Sequence, residues 1–460
     1  MIQKNYINDK VIIEIDNFLS EEECDSLLND RISKFDLAIS HYPQYYRNNS
    51  RLVEDNLSLS TDLFKKVSSL DIDELKPAVR LNEKLRFCAY KRGQEFTKHK
   101  DGVYYPSDDQ ASCLTFLLYL NNSEEFVGGE TNFFSTKSTN ECMLKILPKK
   151  GKLVVFDHTI WHNGGKVEKG VKYILRSDFI FELPSKPGVH KGYIWCLEKL
   201  NIDQFMSGGR DAVIREWNGA LELINSFKIH SNSVIRILQL NNQEFISCSR
   251  DMTLKKWTSK GNLIQSINLD SMVLCMEKHV DKIVMGNTNG ELIVLNENLE
   301  VMHKFIPHQG WVWDLRITDS EIYSVSEFGE LIRTQFNGTS EVCYKHSDGL
   351  FSMNMKDDNI YMGSQQGALV VYTRSNKTVE THQIHTDIIR KIKFKGNQII
   401  TCGEDNKLYT FYHEKFLIAS QTNFIQDFIF MDNKIISAGF DGELKIHKIT
   451  IPHKLIPHKP

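Results

Sequence analysis

Arg86-Phe-Cys-Ala-Tyr-Lys-Arg-Gly-Gln-Glu-Phe-Thr-Lys-His-Lys-Asp101 closes on two metal-ligand residue types one position apart, His99 and Asp101. Side chains alternate faces along a strand, so these two project the same way while Lys100 projects the other. One imidazole and one carboxylate fill too few positions to hold an ion tightly, and a third donor has to come from a neighbouring strand. His162 offers it. It follows the turn and apolar strand Gly151-Lys-Leu-Val-Val-Phe156 and precedes a Gly164-Gly165 turn and the strand Lys172-Tyr-Ile-Leu-Arg-Ser-Asp-Phe-Ile-Phe181. Two histidines and a carboxylate on one face of a metal leave the opposite face open, the arrangement of non-haem Fe(II) oxygenases.

Outward from this stretch, the chain from Leu85 to about Leu183 is a succession of short strands punctuated by Gly93, Gly128-Gly129, Gly151 and Gly164-Gly165. That pattern suits a double-stranded β-helix, the jelly-roll architecture. Ahead of it, Val11 to Leu19 reads as a strand, and Ser20-Glu-Glu-Glu23 is a capping box that opens a helix through about Asn29. A second helical stretch runs from Asp62 to Leu70, after a polar segment, Arg47 to Arg51, that reads as a loop.

A His-x-Asp pair is common on protein surfaces, and order and context give this one its weight. Tyr90 precedes the pair; Cys113-Leu-Thr-Phe-Leu-Leu-Tyr-Leu-Asn121, Gly128-Gly-Glu-Thr-Asn-Phe-Phe134, His162 and a strand with basic residues follow it. The series resembles the prolyl 4-hydroxylase-like branch of the Fe(II)/2-oxoglutarate dioxygenases. By that resemblance His99, Asp101 and His162 match the iron triad, with 2-oxoglutarate as cosubstrate, O2 as oxidant and ascorbate as an accessory reductant. Lys172, ten positions after His162, matches the residue that grips the far carboxylate of 2-oxoglutarate, and Tyr90 and Tyr119 match tyrosines that flank it. Two alternatives stay open: His158 near the end of the same strand as third ligand, and Arg176, on the same strand face as Lys172, as the carboxylate clamp.

Pro184-Ser-Lys-Pro-Gly188 reads as a boundary. It divides a dioxygenase domain over 1–184, with its barrel core at about 85–183, from a second domain over 189–460. Beyond it the chain repeats. Ser207-Gly-Gly-Arg-Asp211 and Ser247-Cys-Ser-Arg-Asp251 lead to Trp217 and Trp257. The same frame gives Asn289-Gly, Phe328-Gly, Gln366-Gly, Asp405-Asn and Asp441-Gly, with Leu295, Thr334, Tyr372, Phe411 and His447 at the tryptophan position. His190, His230, His308, His346 and His385 each stand shortly before the first apolar strand of a unit. Units recurring at roughly forty residues indicate a seven-bladed β-propeller that resembles a degenerate WD repeat. One histidine and one aspartate at a fixed phase read as hydrogen bonding within a blade rather than as ligands. Trp311 and Trp313 read as buried core ahead of an exposed binding surface, and Ile451 to Pro460 as the outer strand of the last blade.

The fold class is therefore mainly β: a jelly roll with flanking helices, then the propeller. A net charge of −3 with scattered basic residues gives no Lys/Arg stripe for phosphates, which weighs against nucleic acid as a partner. No leader and no apolar run of membrane-spanning length is seen, so a cytoplasmic protein is expected, with the nucleus left open. Nine cysteines without a Cys-x-x-Cys read as reduced core residues. The expected function is an Fe(II)- and 2-oxoglutarate-dependent dioxygenase that hydroxylates a protein docked on the propeller. The alternatives are a non-catalytic WD-repeat scaffold and an oxidative demethylase of nucleic acid.

Overall fold

The computed structural model describes residues 1–37, 48–107, 110–136, 139, 141–182, 190–412, 414–421 and 423–448. Arg47, the Pro184–Gly188 boundary and the Ile451–Pro460 tail lie outside them. The chain forms two units, Met1–Lys186 and Pro187–Pro460.

In the first unit, β1 (Ile2–Ile7) and β2 (Lys10–Ile15) make a hairpin over Asn8 and Asp9. Both turn residues have positive φ, 49° and 62°, as the tight turns that match strand twist require, and Asn and Asp tolerate that conformation best after glycine. The strand expected over Val11–Leu19 thus starts close to its expected position and stops at Ile15. Helix α1 (Glu21–Asn29) carries the anticipated capping box: the Ser20 hydroxyl accepts from the Glu23 amide at 3.1 Å, and the Glu23 carboxylate accepts from the Ser20 amide at 2.7 Å.

Strand β3 (Asp36–Leu37) and strand β4 (Ser50–Asp55) pair with each other, and β4 also pairs with β6 (Lys84–Lys91). The polar segment read as a loop therefore ends in a strand, with Asn49 fully buried; tertiary pairing, not local polarity, decides its conformation. Helix α2 runs over Leu57–Ser68, earlier than the expected Asp62–Leu70, because the Asn56 side chain accepts from the Leu59 amide at 3.0 Å and caps it there.

The remaining strands are β5 (Ala78–Leu81), β7 (Phe96–His99), β8 (Gln110–Tyr119), β9 (Phe126–Gly128), β10 (Thr131–Phe134), β11 (Leu144–Ile146), β12 (Leu153–Asp157), β13 (Trp161–Gly164) and β14 (Val167–Glu182). The larger sheet has the order β1-β2-β12-β8-β14-β6-β4-β3, with β5 and β9 also on β14; the smaller has the order β11-β10-β13-β7. Alternation along the central strands builds two layers. Phe87, Phe116, Val155 and Leu175 join α1 and α2 residues such as Leu28 and Val67 in one core. Their neighbours Cys88, Leu117, Val154 and Ile174 join Phe133 of the smaller sheet in another. Because both faces are covered, these strands read as nearly continuous apolar runs.

The second unit consists of seven sheets among the described residues, six of four strands and a last one of three, each built from consecutive strands. Their innermost strands begin at Ile194, Val234, Val273, Val312, Leu350, Ile389 and Ile425. Neighbouring innermost strands meet around a closed ring, the last against the first, where the Leu197 amide donates to Asp427 at 3.0 Å. The repeated histidines do bond within blades. His190 meets Ser207 at 2.6 Å and Asp211 at 3.0 Å, and Trp217 donates to the same Ser207 hydroxyl at 2.7 Å. His230, Ser247, Asp251 and Trp257 repeat this arrangement. In the last blade His447 replaces the tryptophan and still reaches Ser437, at 2.8 Å. His346 departs from the frame: Met362 occupies the serine position of its blade, and His346 faces Asp348 at 2.8 Å instead. Removing a buried partner strands the others, so His230→Ala is expected to cost about 1–3 kcal/mol of stability, measured as a lower midpoint in urea. A midpoint equal to wild type would deny the network a structural role.

Candidate active site

β7 and β13 lie side by side in the smaller sheet, with His162 paired in register to His99. The two imidazole rings sit 4.2 Å apart between Phe96, stacked on His99 at 3.5 Å, and Phe156, 4.6 Å from His162. Asp101 falls beyond the end of β7. The period-two reading that put it on the same strand as His99 is corrected here: its backbone amide donates to the His158 carbonyl at 3.0 Å, and this bond places it. Side-chain donor atoms of His99, Asp101 and His162 lie within 4.8 Å of one another, and this is the group among the described residues that could hold one ion. All three are buried, at 6 %, 7 % and 5 % exposure.

The donor set is prepared for a cation. His99 Nδ1 meets the Thr97 carbonyl at 2.7 Å and His162 Nδ1 the Ile160 carbonyl at 3.0 Å. A carbonyl only accepts, so each Nδ1 carries the proton and each Nε2 keeps its lone pair. Burial disfavours the charged imidazolium and lowers both histidines, His162 to about 3, so both stay neutral. Burial alone would raise the Asp101 carboxyl, but the Arg176 guanidinium beside it holds it well below the ordinary range. Its Oδ1 accepts from Arg176 at 2.6 Å and its Oδ2 from the Thr115 hydroxyl at 2.5 Å. Oδ1 lies 3.6 Å from His99 Nε2, and Oδ2 lies 3.7 Å from His162 Nε2. Ligands about 2.1 Å from a shared ion stand about 3 Å apart when adjacent, so these residues fit a metal with a small contraction.

His99 and His162 open onto a pocket whose wall includes Tyr90, Thr131, Lys172 and Arg176. Strand alternation puts the two cations there together, since Lys172, Ile174 and Arg176 share one face of β14. Lys172 is buried and donates to the Gly129 carbonyl at 2.5 Å, its ammonium 5.7 Å from the Tyr90 ring centre and 5.3 Å from that of Tyr119. An ammonium has three donors, so capacity remains for an anionic ligand. Burial lowers Lys172 to about 8. The Gly128-Gly129 pair makes this possible: both have positive φ, a Cβ on Gly128 would stand 2.3 Å from the Lys166 carbonyl, and one on Gly129 would press on the Lys172 side chain at 3.0 Å.

The two alternatives that the sequence left open, His158 and Arg176, occupy different surroundings. His158 is buried but faces Asp178 at 3.6 Å, outside the three-residue group. Arg176 lines the pocket, yet its guanidinium is engaged by Asp101. Tyr119 does not stand alone, its hydroxyl bonding Thr131 at 2.6 Å. Thr115 and Thr131 were missed from the sequence. The signal for Thr115 was present, because it shares the period-two face of β8 with Leu117 and Tyr119; Thr131 lies on β10, where no repeat or motif singles it out.

Residues 85–177 match the family model described as the 2OG-Fe(II) oxygenase superfamily. No curated protein matches the chain. Among solved structures, the WD40 β-propeller domain of Doa1 aligns with a TM-score of 0.52 at 16 % identity, covering 56 % of this chain and 94 % of that one. A computationally designed protein, Ika8, aligns with a TM-score of 0.48 at 17 % identity, covering 57 % of this chain and 98 % of that one. At such identity the Doa1 likeness speaks for fold alone. The chain thus joins a segment that matches the 2OG-Fe(II) oxygenase superfamily, a match that implies Fe(II) and 2-oxoglutarate, to a β-propeller of the WD40 fold.

Proposed function

We propose that the chain is an Fe(II)- and 2-oxoglutarate-dependent hydroxylase whose substrate is a protein held by the propeller. The observation that carries the oxygenase reading is a buried group of three metal-type donors whose two histidines line one pocket together with a lysine that has hydrogen-bonding capacity to spare. His99, Asp101 and His162 hold the ion in this reading. Fe(II) there supplies O2 activation coupled to oxidative decarboxylation of 2-oxoglutarate. Lys172 pairs with the far carboxylate of that cosubstrate, and the low dielectric of the pocket strengthens the pair and selects ligand length. Thr131 stands in the wall, bonded to Tyr119; burial raises the Tyr119 phenol, which therefore stays protonated and able to donate. Arg176 and Thr115 fix the orientation of Asp101. The protein-substrate part of the reading is supported by the propeller, a rigid disc whose loops suit macromolecular docking.

Two measurements test this. Succinate formation by the intact chain with Fe(II), 2-oxoglutarate and ascorbate to keep the iron ferrous should exceed that of metal-stripped protein; equality ends the oxygenase reading. Proteins captured from cytoplasmic extract on the Asp101→Ala chain should then gain labelled oxygen from O2 when given to wild type. Turnover without such labelling would leave an oxygenase whose substrate is not a protein.

Lys172 also predicts a pH dependence. The clamp works only as the ammonium, present below its lowered pKa of about 8 and lost above it. kcat/KM for 2-oxoglutarate should therefore fall by about tenfold per pH unit above that value, as read from initial rates. A flat profile up to the ordinary lysine range would show that Lys172 is not the titrating clamp.

A further inference from the structure

The propeller carries a recess that the oxygenase reading does not use. Trp313, expected as core, is half-buried in its wall, as are Trp195, Trp311 and Arg390, while Phe351 is buried there. The repeat explains why they meet: Trp195, Trp313, Phe351 and Arg390 are each the second residue of an innermost strand, so the ring brings the same position of different blades to one rim. Trp313 stands 5.6 Å from Trp311 and 4.9 Å from Phe351, and the Arg390 guanidinium lies 5.3 Å and 5.4 Å from the Trp313 and Phe351 rings. Glu404 holds Arg390 through its Nε at 2.9 Å.

Two features define what the recess accepts. Its charged wall residues are Arg236, Arg250 and Arg390, with no aspartate or glutamate among them. The indole Nε1 atoms of Trp195 and Trp313 are buried and have no acceptor among the described residues. Arginine and indole donors around aromatic surface suit a ligand that pairs a bulky apolar group with an anion. A polynucleotide would need a basic track for its backbone, and the chain has a net charge of −3.

We propose that this recess docks a peptide segment in which an aromatic or large aliphatic side chain stands next to an aspartate or glutamate. The side chain enters among the tryptophans and Phe351, and the carboxylate accepts from the arginines and an indole N–H. Rigid aromatics and arginine are the residue types that concentrate binding energy at interfaces. This deepens, and rests on, the reading that the propeller recruits protein.

The test is to pan a random peptide library on the intact chain, then measure binding of the recovered peptides to Trp313→Ala, Arg390→Gln and Gln426→Glu chains. Gln426→Glu places a carboxylate in the same wall at a half-exposed position, which keeps the test valid should the tryptophan variant fold poorly. Peptides pairing Asp or Glu with Trp, Phe or Leu should dominate and lose about tenfold or more in affinity with each variant, while succinate formation without substrate stays at the wild-type level. Acidic peptides that bind all three variants unchanged would overturn the recess and leave recruitment elsewhere on the propeller standing. Enrichment of Lys/Arg-rich peptides, absence of any enrichment, or displacement by guanosine monophosphate in preference to acidic peptide would overturn the proposed occupant; recruitment itself is judged separately by oxygen labelling of the captured proteins.

Discussion

Asp101→Ala and His162→Ala should each reduce Fe(II)-dependent succinate formation to the level of metal-stripped protein. Residues that only orient a metal ligand are commonly worth about 10–100-fold in affinity or activity, and a ligand itself should be worth more. With one member gone, the remaining pair competes poorly with water and buffer for the ion. The Asp101 change has a second effect, because it strands the Arg176 guanidinium that pairs with it at 2.6 Å. The His162 change is therefore the cleaner of the two, and Fe(II) affinity should be measured alongside turnover. His158→Ala serves as the control: its side chain faces Asp178 and lies outside the three-residue group. Activity that survives His162→Ala but not His158→Ala would move the third ligand to His158.

Lys172→Ala should raise the apparent Michaelis constant for 2-oxoglutarate far more than Arg176→Ala does. Losing one partner of a buried, hydrogen-bonded charge pair costs about 2–5 kcal/mol, or roughly thirty- to several-thousand-fold in affinity. Lys172 has capacity to spare, since the Gly129 carbonyl takes one of the three donors of its ammonium. Arg176 is committed to Asp101, and its loss should appear first as weaker Fe(II) retention. A larger rise with Arg176→Ala than with Lys172→Ala would transfer the clamp to Arg176.

What could be read without coordinates follows from how local each signal is. The capping box at Ser20 is a local contract between residues three apart, and it formed as expected. The repeat frame around Trp217 and Trp257 was equally legible, because one hydrogen-bonding solution is used in several blades. His99 and His162 could be paired because each lies in or close after a recognisable strand segment. Less legible was anything set by distant pairing. Ser50 and Arg51 look like loop residues until β6 lies beside them. Asp101 seemed to owe its direction to a strand pleat, whereas a carbonyl fifty-seven residues away in sequence, that of His158, positions it. The partnership of Arg176 with Asp101 was hidden for the same reason: alternation predicts which face a side chain takes, and not which neighbour across the barrel claims it.

That partnership bears on how such a protein would be made in a cell. Many metal sites are frustrated until loaded, and their chains fold only as the ion arrives. Here the carboxylate already has a guanidinium on one oxygen and a hydroxyl on the other, and both histidines are neutral and anchored through Nδ1. The nascent chain can mature with its charges compensated, ahead of any iron supply. Chelation should then silence the protein without unfolding it, and re-addition of the ion should restore it without refolding. The amount of active protein would follow the free Fe(II) concentration while the amount of folded protein stayed constant.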